Sequence, residues 1–260
     1  MLLLVFCTYS VAAGASFREV CSDLLNKNDD SSVIDGVDGW MFFKEELRHL
    51  AAGRFWGEDA AAATQAKDKK YSDPLPAIVE YNALLAEKGI TLYLMPVPPK
   101  ALIYPDKLDS ALTVDSVAGE LGMYREFYTL LEKEGVRVID LLPLLQQNRD
   151  QGNVYCKTDT HFSPLGLAYF AEAAAAVIKK EAWYASLPAQ QYTMTDRKVK
   201  IHGDLARMAG DDTVAEELEL QLVADKEGKA LESDLESPVI LLGDSHTLVF
   251  SAGGDLHAKG

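Results

Sequence analysis

What most restricts the fold of this chain is an alternation. Stretches with helical apolar spacing give way repeatedly to short, continuously apolar runs bounded by Gly or Pro. From Pro74 the residues Ile78, Val79, Leu84 and Leu85 recur at helical spacing until Gly89, and residues 90–95 then read as a buried strand. The pattern repeats as a helix over 117–134, a stop at Gly135 and a strand over 136–141. Residues 164–180 predict a third helix with an alanine-rich face. Strands separated by helices pair in parallel, because the crossover helix returns the chain to the same edge. The expected architecture is therefore α/β, a layered sandwich around a mostly parallel sheet. At 260 residues the chain suffices for one such domain.

Two segments lie outside the alternation. Residues 33–43 carry Gly36, Asp38 and Gly39 between apolar positions, which predicts a hairpin with an Asp-Gly turn and Trp40 opening the return strand. Residues 186–237 hold two alternating stretches, 197–201 and 218–223, around a turn and short helix at 203–208. A small β-rich insertion before a final strand is expected there.

That final strand carries the first chemical signal. Val239, Ile240, Leu241 and Leu242 run straight into Gly243, Asp244, Ser245 and His246, a pattern for a buried strand, a sharp turn and a helix that presents a serine nucleophile. A second cluster, Asp159, Thr160 and His161, supplies a carboxylate and an imidazole two residues apart. In extended backbone such positions face the same side with Cα atoms roughly 6 to 7 Å apart. That separation suits an acid holding one imidazole nitrogen while the other takes the Ser245 proton, in the chain order Asp, His, Ser. The same residues also allow a plainer reading, with Asp159 capping the following helix and His161 packed beside it. His246 reads as local packing or as support for the site.

Charge and cysteine content narrow the class. A net charge of −15 repels phosphate backbones and anionic lipid, so nucleic acid is not an expected partner. Cys7, Cys21 and Cys156 form neither a disulfide framework nor a CxxC pair, and free thiols are expected, with no zinc site. No cofactor is implied. The apolar run over residues 2–13 ends at Ala13, Gly14 and Ala15, which predicts a signal peptide or anchor over residues 1–15, although no Lys or Arg precedes it.

Five motifs in order, GVDGWMFF from Gly36, PVPPKALIYP from Pro96, TDTHF from Thr158, GDLARM from Gly203 and LGDSH from Leu242, resemble the motif series of the AlgJ and AlgX alginate O-acetylation proteins. The resemblance covers residues 33–260, and the absence of a carbohydrate-binding module makes the AlgJ-like form the closer comparison. It implies an SGNH hydrolase-like, flavodoxin-like sandwich with permuted motif order. It also implies Ser245 as nucleophile, His161 as general base and Asp159 as its orienting acid. The activity implied is transfer of acetyl groups to hydroxyls of an exported, alginate-like polysaccharide in the periplasm, from a donor delivered by a membrane-bound O-acyltransferase partner. The chain stops fifteen residues after Ser245, where the family's domain continues, so a domain incomplete at its C-terminus is expected.

Residues assigned to the polysaccharide are Lys100, Tyr104, Arg197 and Arg207. Lys100 follows the break at Pro96–Pro99, at the strand's carboxyl end where open sheets bind ligands. Arg197, Lys198, Lys200 and Arg207 form the densest basic stretch of an acidic chain. Trp40, Tyr93 and Tyr104 offer rings for sugars, or for the core. Two other functions use the same residues. Asp159, His161, Asp244 and His202 or His246 resemble part of the ligand set of metal-dependent phosphoesterases, although the Asn-His ligand motif of that class is absent. A non-catalytic polysaccharide-binding or assembly component is the other.

Overall fold

The computed structural model describes residues 15–232 and 234–248. The N-terminal apolar run assigned to a signal peptide or anchor lies almost wholly outside them. Among the described residues no helix is long and apolar enough to cross a membrane.

Helix α1 (Phe17–Lys27) starts at a reciprocal cap, Ser16 accepting the Glu19 amide while Glu19 accepts the Ser16 amide. The predicted hairpin follows as β1 (Val33–Asp35) and β2 (Met41–Phe43), antiparallel with Ile34 opposite Phe42. Its turn needs two residues at positive φ, and Asp38 (φ 56°) and Gly39 (φ 76°) supply them. Helices α2 (Lys44–Ala52), α3 (Ala60–Ala63) and α4 (Pro74–Ala86) lead to β3 (Tyr93–Leu94). Two short helices, α5 (Lys100–Ile103) and α6 (Pro105–Leu108), precede α7 (Ala118–Lys133) and β4 (Arg137–Val138). Then come α8 (Leu142–Asn148) and α9 (Pro164–Ile178). The expected β-rich insertion is one long hairpin, β5 (Tyr192–Ile201) with β6 (Glu216–Asp225), and α10 (Asp204–Met208) lies between its strands in sequence. Helix α11 (Ser245–Leu248) closes the described chain.

The main core gathers Trp40, Phe42, Leu102, Phe127, Tyr155 and Phe162, drawn from the hairpin, α5, α7 and the loop before α9. Cys21 and Cys156 are both buried free thiols.

Helix and strand alternate as expected, but the sheet is smaller than expected. Among the described residues there are three two-stranded ladders, and β3 with β4 is the parallel one. Residues 239–242, read as a buried strand, are instead exposed and irregular, with Ile240 and Leu242 at 80% and 76% exposure. The physical reason is pairing. Apolar residues become a buried strand only where a neighbour takes their N–H and C=O groups. Here the Val239 amide bonds the Ser237 hydroxyl, and no ladder among the described residues takes in 239–242.

Candidate active site

The loop between α8 and α9 is pinned at both ends. Tyr155 and Phe162 face each other in an antiparallel bridge, the Cys156 amide donates to the His161 carbonyl at 3.1 Å, and the Ser163 amide to the Val154 carbonyl at 3.1 Å. Ser163 also caps α9, its hydroxyl accepting the Gly166 amide with Pro164 at the first helical position. Residues 157–160 form the tip, and the tip rests on two neighbours. Glu216 of β6 accepts the Lys157 amide at 2.8 Å, and the Thr158 carbonyl accepts the amides of Leu205 and Ala206.

Asp159 and His161 project together from this tip, both buried, at 3% and 8% exposure. His161 Nδ1 lies 2.6 Å from Asp159 Oδ1, and the same oxygen accepts the His161 amide at 3.0 Å. An ionised carboxylate only accepts, so Nδ1 carries the proton and Nε2 presents its lone pair. That Nε2 is buried and has no hydrogen-bond partner among the described residues. Burial lowers the affinity of His161 for a proton, but the hydrogen bond and charge of Asp159, with the charges of Asp204 and Asp244, outweigh it and leave the pKa raised. Burial pushes Asp159 upward, and its bonds from the His161 side chain and amide and from the Asp204 amide more than reverse this, so its pKa is lowered.

The serine segment reaches this group through His246. Its ring packs 4.8 Å from that of His161 and 5.1 Å from that of Phe162, edge-on to the latter. Burial, then the nearby His161, pulls the His246 pKa down to about 4, so it is neutral at physiological pH. Ser245 is the preceding residue, exposed at the start of α11. It is therefore carried to the same end of the molecule, but no hydrogen bond joins it to His161 Nε2.

Two expected polysaccharide contacts are turned inward. Lys100 is 2% exposed, and its ammonium donates to the carbonyls of Met41, Lys157 and Asp159 at 2.7, 3.0 and 3.0 Å, above the rings of Trp40 and Phe42. Burial draws its pKa down to about 8 against the opposing charge of Glu46. With three carbonyls to hold, it has no exposed charge for a uronate. The reason is local: α5 begins at Lys100, its amide and that of Ala101 held by Glu46, and this aims the side chain at the loop tip. Tyr104 is likewise buried, its hydroxyl accepting the Val154 amide at 2.8 Å and its ring 4.2 Å from that of Trp40. Arg197 on β5 and Arg207 on α10 are exposed.

Residues 33–253 match the model of the SGNH hydrolase-like domain of the acetyltransferase AlgX. The chain belongs to this family. It is 29% identical over 187 residues to the probable alginate O-acetylase AlgJ of Pseudomonas aeruginosa, covering 72% of this chain and 43% of that protein. To the probable alginate O-acetylase AlgJ of Pseudomonas syringae pv. tomato it is 28% identical over 173 residues, covering 66% and 40%. The chain thus spans less than half the length of these relatives. Among solved structures it is similar to the O-acetyltransferase domain of Pseudomonas putida AlgJ, with a TM-score of 0.50, 23% identity and coverage of 74% of this chain and 64% of that one. It is also similar to Pseudomonas aeruginosa AlgX, with a TM-score of 0.57, 15% identity and coverage of 76% and 46%. Those two likenesses are of fold, and the domain is α/β and SGNH hydrolase-like.

Sequence reasoning missed Asp204. Its carboxylate accepts the Thr160 amide at 2.7 Å and the Thr160 hydroxyl at 2.5 Å, and lies 3.7 Å from His161 Nδ1. The signal was its place in the GDLARM motif, but the motif does not say what it touches. Asp159, His161 and Asp204 bring candidate ligand atoms within 4.8 Å of one another, among the described residues the one such group of three or more. All four carboxylate oxygens of the group are engaged with N–H and O–H donors, and His161 Nε2 is left without a partner among the described residues. The group contains neither the Asp244 nor the His202 or His246 that the phosphoesterase reading adds to Asp159 and His161, and His202 Nδ1 is bonded to the Val214 carbonyl.

Proposed function

We propose that this chain carries the acyl-serine centre of an O-acetyltransferase acting on hydroxyls of an exported, alginate-like polysaccharide. The observation that carries the reading is His161, a buried imidazole with a carboxylate on Nδ1, a bare lone pair on Nε2, and the Ser245 helix packed against it. The names of the AlgJ relatives supply the substrate class.

The chemistry is a double displacement. Ser245 Oγ gives its proton to His161 Nε2 and attacks the acetyl carbonyl of the donor, and the departing group takes that proton. A sugar hydroxyl then gives its proton to the same Nε2 and attacks the acetyl-serine, and Ser245 leaves with the proton returned. Asp159 stabilises the imidazolium formed in each half. The step needs Ser245 Oγ to come within about 3 Å of Nε2, a contact that in uncomplexed enzymes often tightens only with substrate.

The wider setting follows from this reading. The donor is delivered by a membrane-bound O-acyltransferase, the site works in the periplasm, and Arg197 and Arg207 are exposed cations able to meet a polyanionic acceptor. A flavodoxin-like sandwich with a mostly parallel sheet is the finer architecture, supported by the helix–strand alternation and the β3–β4 ladder.

The test is to incubate the protein with an activated acetyl ester and read its intact mass. An acetyl adduct mapping to Ser245, absent from Ser245→Ala, is expected, with turnover lowered on the order of 10⁶-fold in the variant. A folded protein that never acquires the adduct overturns the reading.

A further inference from the structure

We propose that Asp204 is a positioning residue for His161, a second carboxylate that holds the loop tip in register and keeps negative charge on the Nδ1 side of the imidazole. The inference rests on the acyl-serine reading for its catalytic consequence, and on geometry for the rest.

Four contacts converge on Asp204. Its two carboxylate oxygens take the Thr160 amide and hydroxyl, and its own amide donates to Asp159 Oδ2 at 2.8 Å. The remaining contact is the 3.7 Å approach of Oδ2 to His161 Nδ1, too long for a hydrogen bond but close for a charge. Asp159 and Asp204 therefore grip each other through the Thr160 and Asp204 backbones. Asp159 has one oxygen for the imidazole and the other for α10, so Asp204 fixes the rotation of the very carboxylate that orients His161.

Alpha-helix α10 is brought this close by Gly203, whose φ of 63° and lack of a side chain let the chain pass the Thr158 carbonyl. A Cβ there would lie 2.1 Å from that oxygen. The approach also lets the Thr158 carbonyl cap α10 by taking the Leu205 and Ala206 amides, which Gly203 has no side chain to hold. Its result is to set a carboxylate, 24% exposed, beside a buried imidazole and carboxylate pair.

Two negative charges beside one imidazole favour its protonated form, the form produced when Ser245 attacks the donor and again when the sugar hydroxyl attacks the acetyl-serine. The charged and titratable groups around His161 are Asp159 on its own loop, Asp204 of α10, and Asp244 and His246 of the serine segment. Of these, Asp159 and Asp204 approach Nδ1 within 4 Å.

The experiment is a histidine-selective NMR titration of His161 in the wild type, Asp204→Asn and Asp204→Ser, alongside the pH profile of acetyl-ester turnover and thermal melts. Asn keeps the shape without the charge. Ser is smaller and equally uncharged, so it supplies a second uncharged variant should Asn fail to fold. Both are expected to move the His161 titration and the acidic limb of kcat/KM to lower pH and to lower kcat with KM little changed. Asp204→Glu is expected to restore part of the shift. An unchanged His161 titration in the uncharged variants, whatever their melting temperature, overturns the proposal. A wild type that turns over no acetyl ester sinks the acyl-serine reading instead, and the NMR shift still judges Asp204.

Discussion

His161 Nδ1 sits 2.6 Å from Asp159 Oδ1, and that oxygen also accepts the His161 amide, so a carboxylate two residues upstream fixes both the ring and the backbone of its partner. The arrangement is local, yet its strength is not, because the other Asp159 oxygen is held by the Asp204 amide. Asp159→Asn would leave the shape and remove the charge that requires a proton on Nδ1. Turnover is expected to fall about 10⁴-fold through loss of that tautomer. Replacing one of the two buried acceptor oxygens by an NH2 that faces an N–H donor should also cost about 1 to 3 kcal/mol in denaturant unfolding.

The pH dependence of activity and of stability should oppose each other near neutrality. His161 must be neutral to take a proton, and its pKa lies above the ordinary 6.5, so kcat/KM is expected to fall as pH drops through a value above 6.5. A raised imidazole pKa stabilises the fold fully below 6.5, and that contribution disappears as pH rises through the folded value. For Asp159, lowered from 3.8, the contribution is present above 3.8 and lost as pH falls through its folded value. Asp204, raised by burial and by the charge of Asp159, works in the opposite sense in acid. Rate profiles and melts across pH check both signs, and an acidic limb below 6.5 would contradict them.

Lys100→Met tests the corrected role of that lysine. Removing a buried ammonium leaves the carbonyls of Met41 and Asp159 short of a donor, with an expected loss of about 3 kcal/mol. Because two of its three acceptors belong to the loop tip, kcat should fall too. Binding of a uronate polymer should be unchanged in the folded variant, measured by calorimetry. A selective loss of that binding would restore Lys100 as a substrate contact.

Gly203→Ala should be among the more damaging single-methyl changes in the chain. It adds a side chain at φ 63° and drives a Cβ to 2.1 Å from the Thr158 carbonyl, so α10 must retreat from the loop. The backbone strain alone is worth about 1 to 3 kcal/mol. Activity is expected to drop even below the melting transition, because Asp204 moves with α10, and Gly210→Ala serves as control, being at similar φ with open space around it.

The local pieces were readable in the chain. The Asp38-Gly39 turn, the stops at Gly89 and Gly135, the helix start at Pro164 and the Asp159–His161 spacing each depend on neighbours within a few residues. Lys100 and Tyr104 misled because a cation or ring beside a Pro-Pro break looks the same in sequence whether it faces water or three carbonyls. The 239–242 run misled for a related reason, since apolar residues do not specify their own strand partner.

By itself, then, the sequence determined the helix and strand alternation, the family motifs and the acid–imidazole pair, all set by backbone propensity and short spacing. Only the tertiary structure decided that Asp204 and Glu216 brace the loop tip, that Lys100 is its internal anchor, and that His246 is the residue packed on His161. These contacts join residues 44 to 85 positions apart. Burial and hydrogen-bond completion across packed elements select them, and no local pattern encodes that selection.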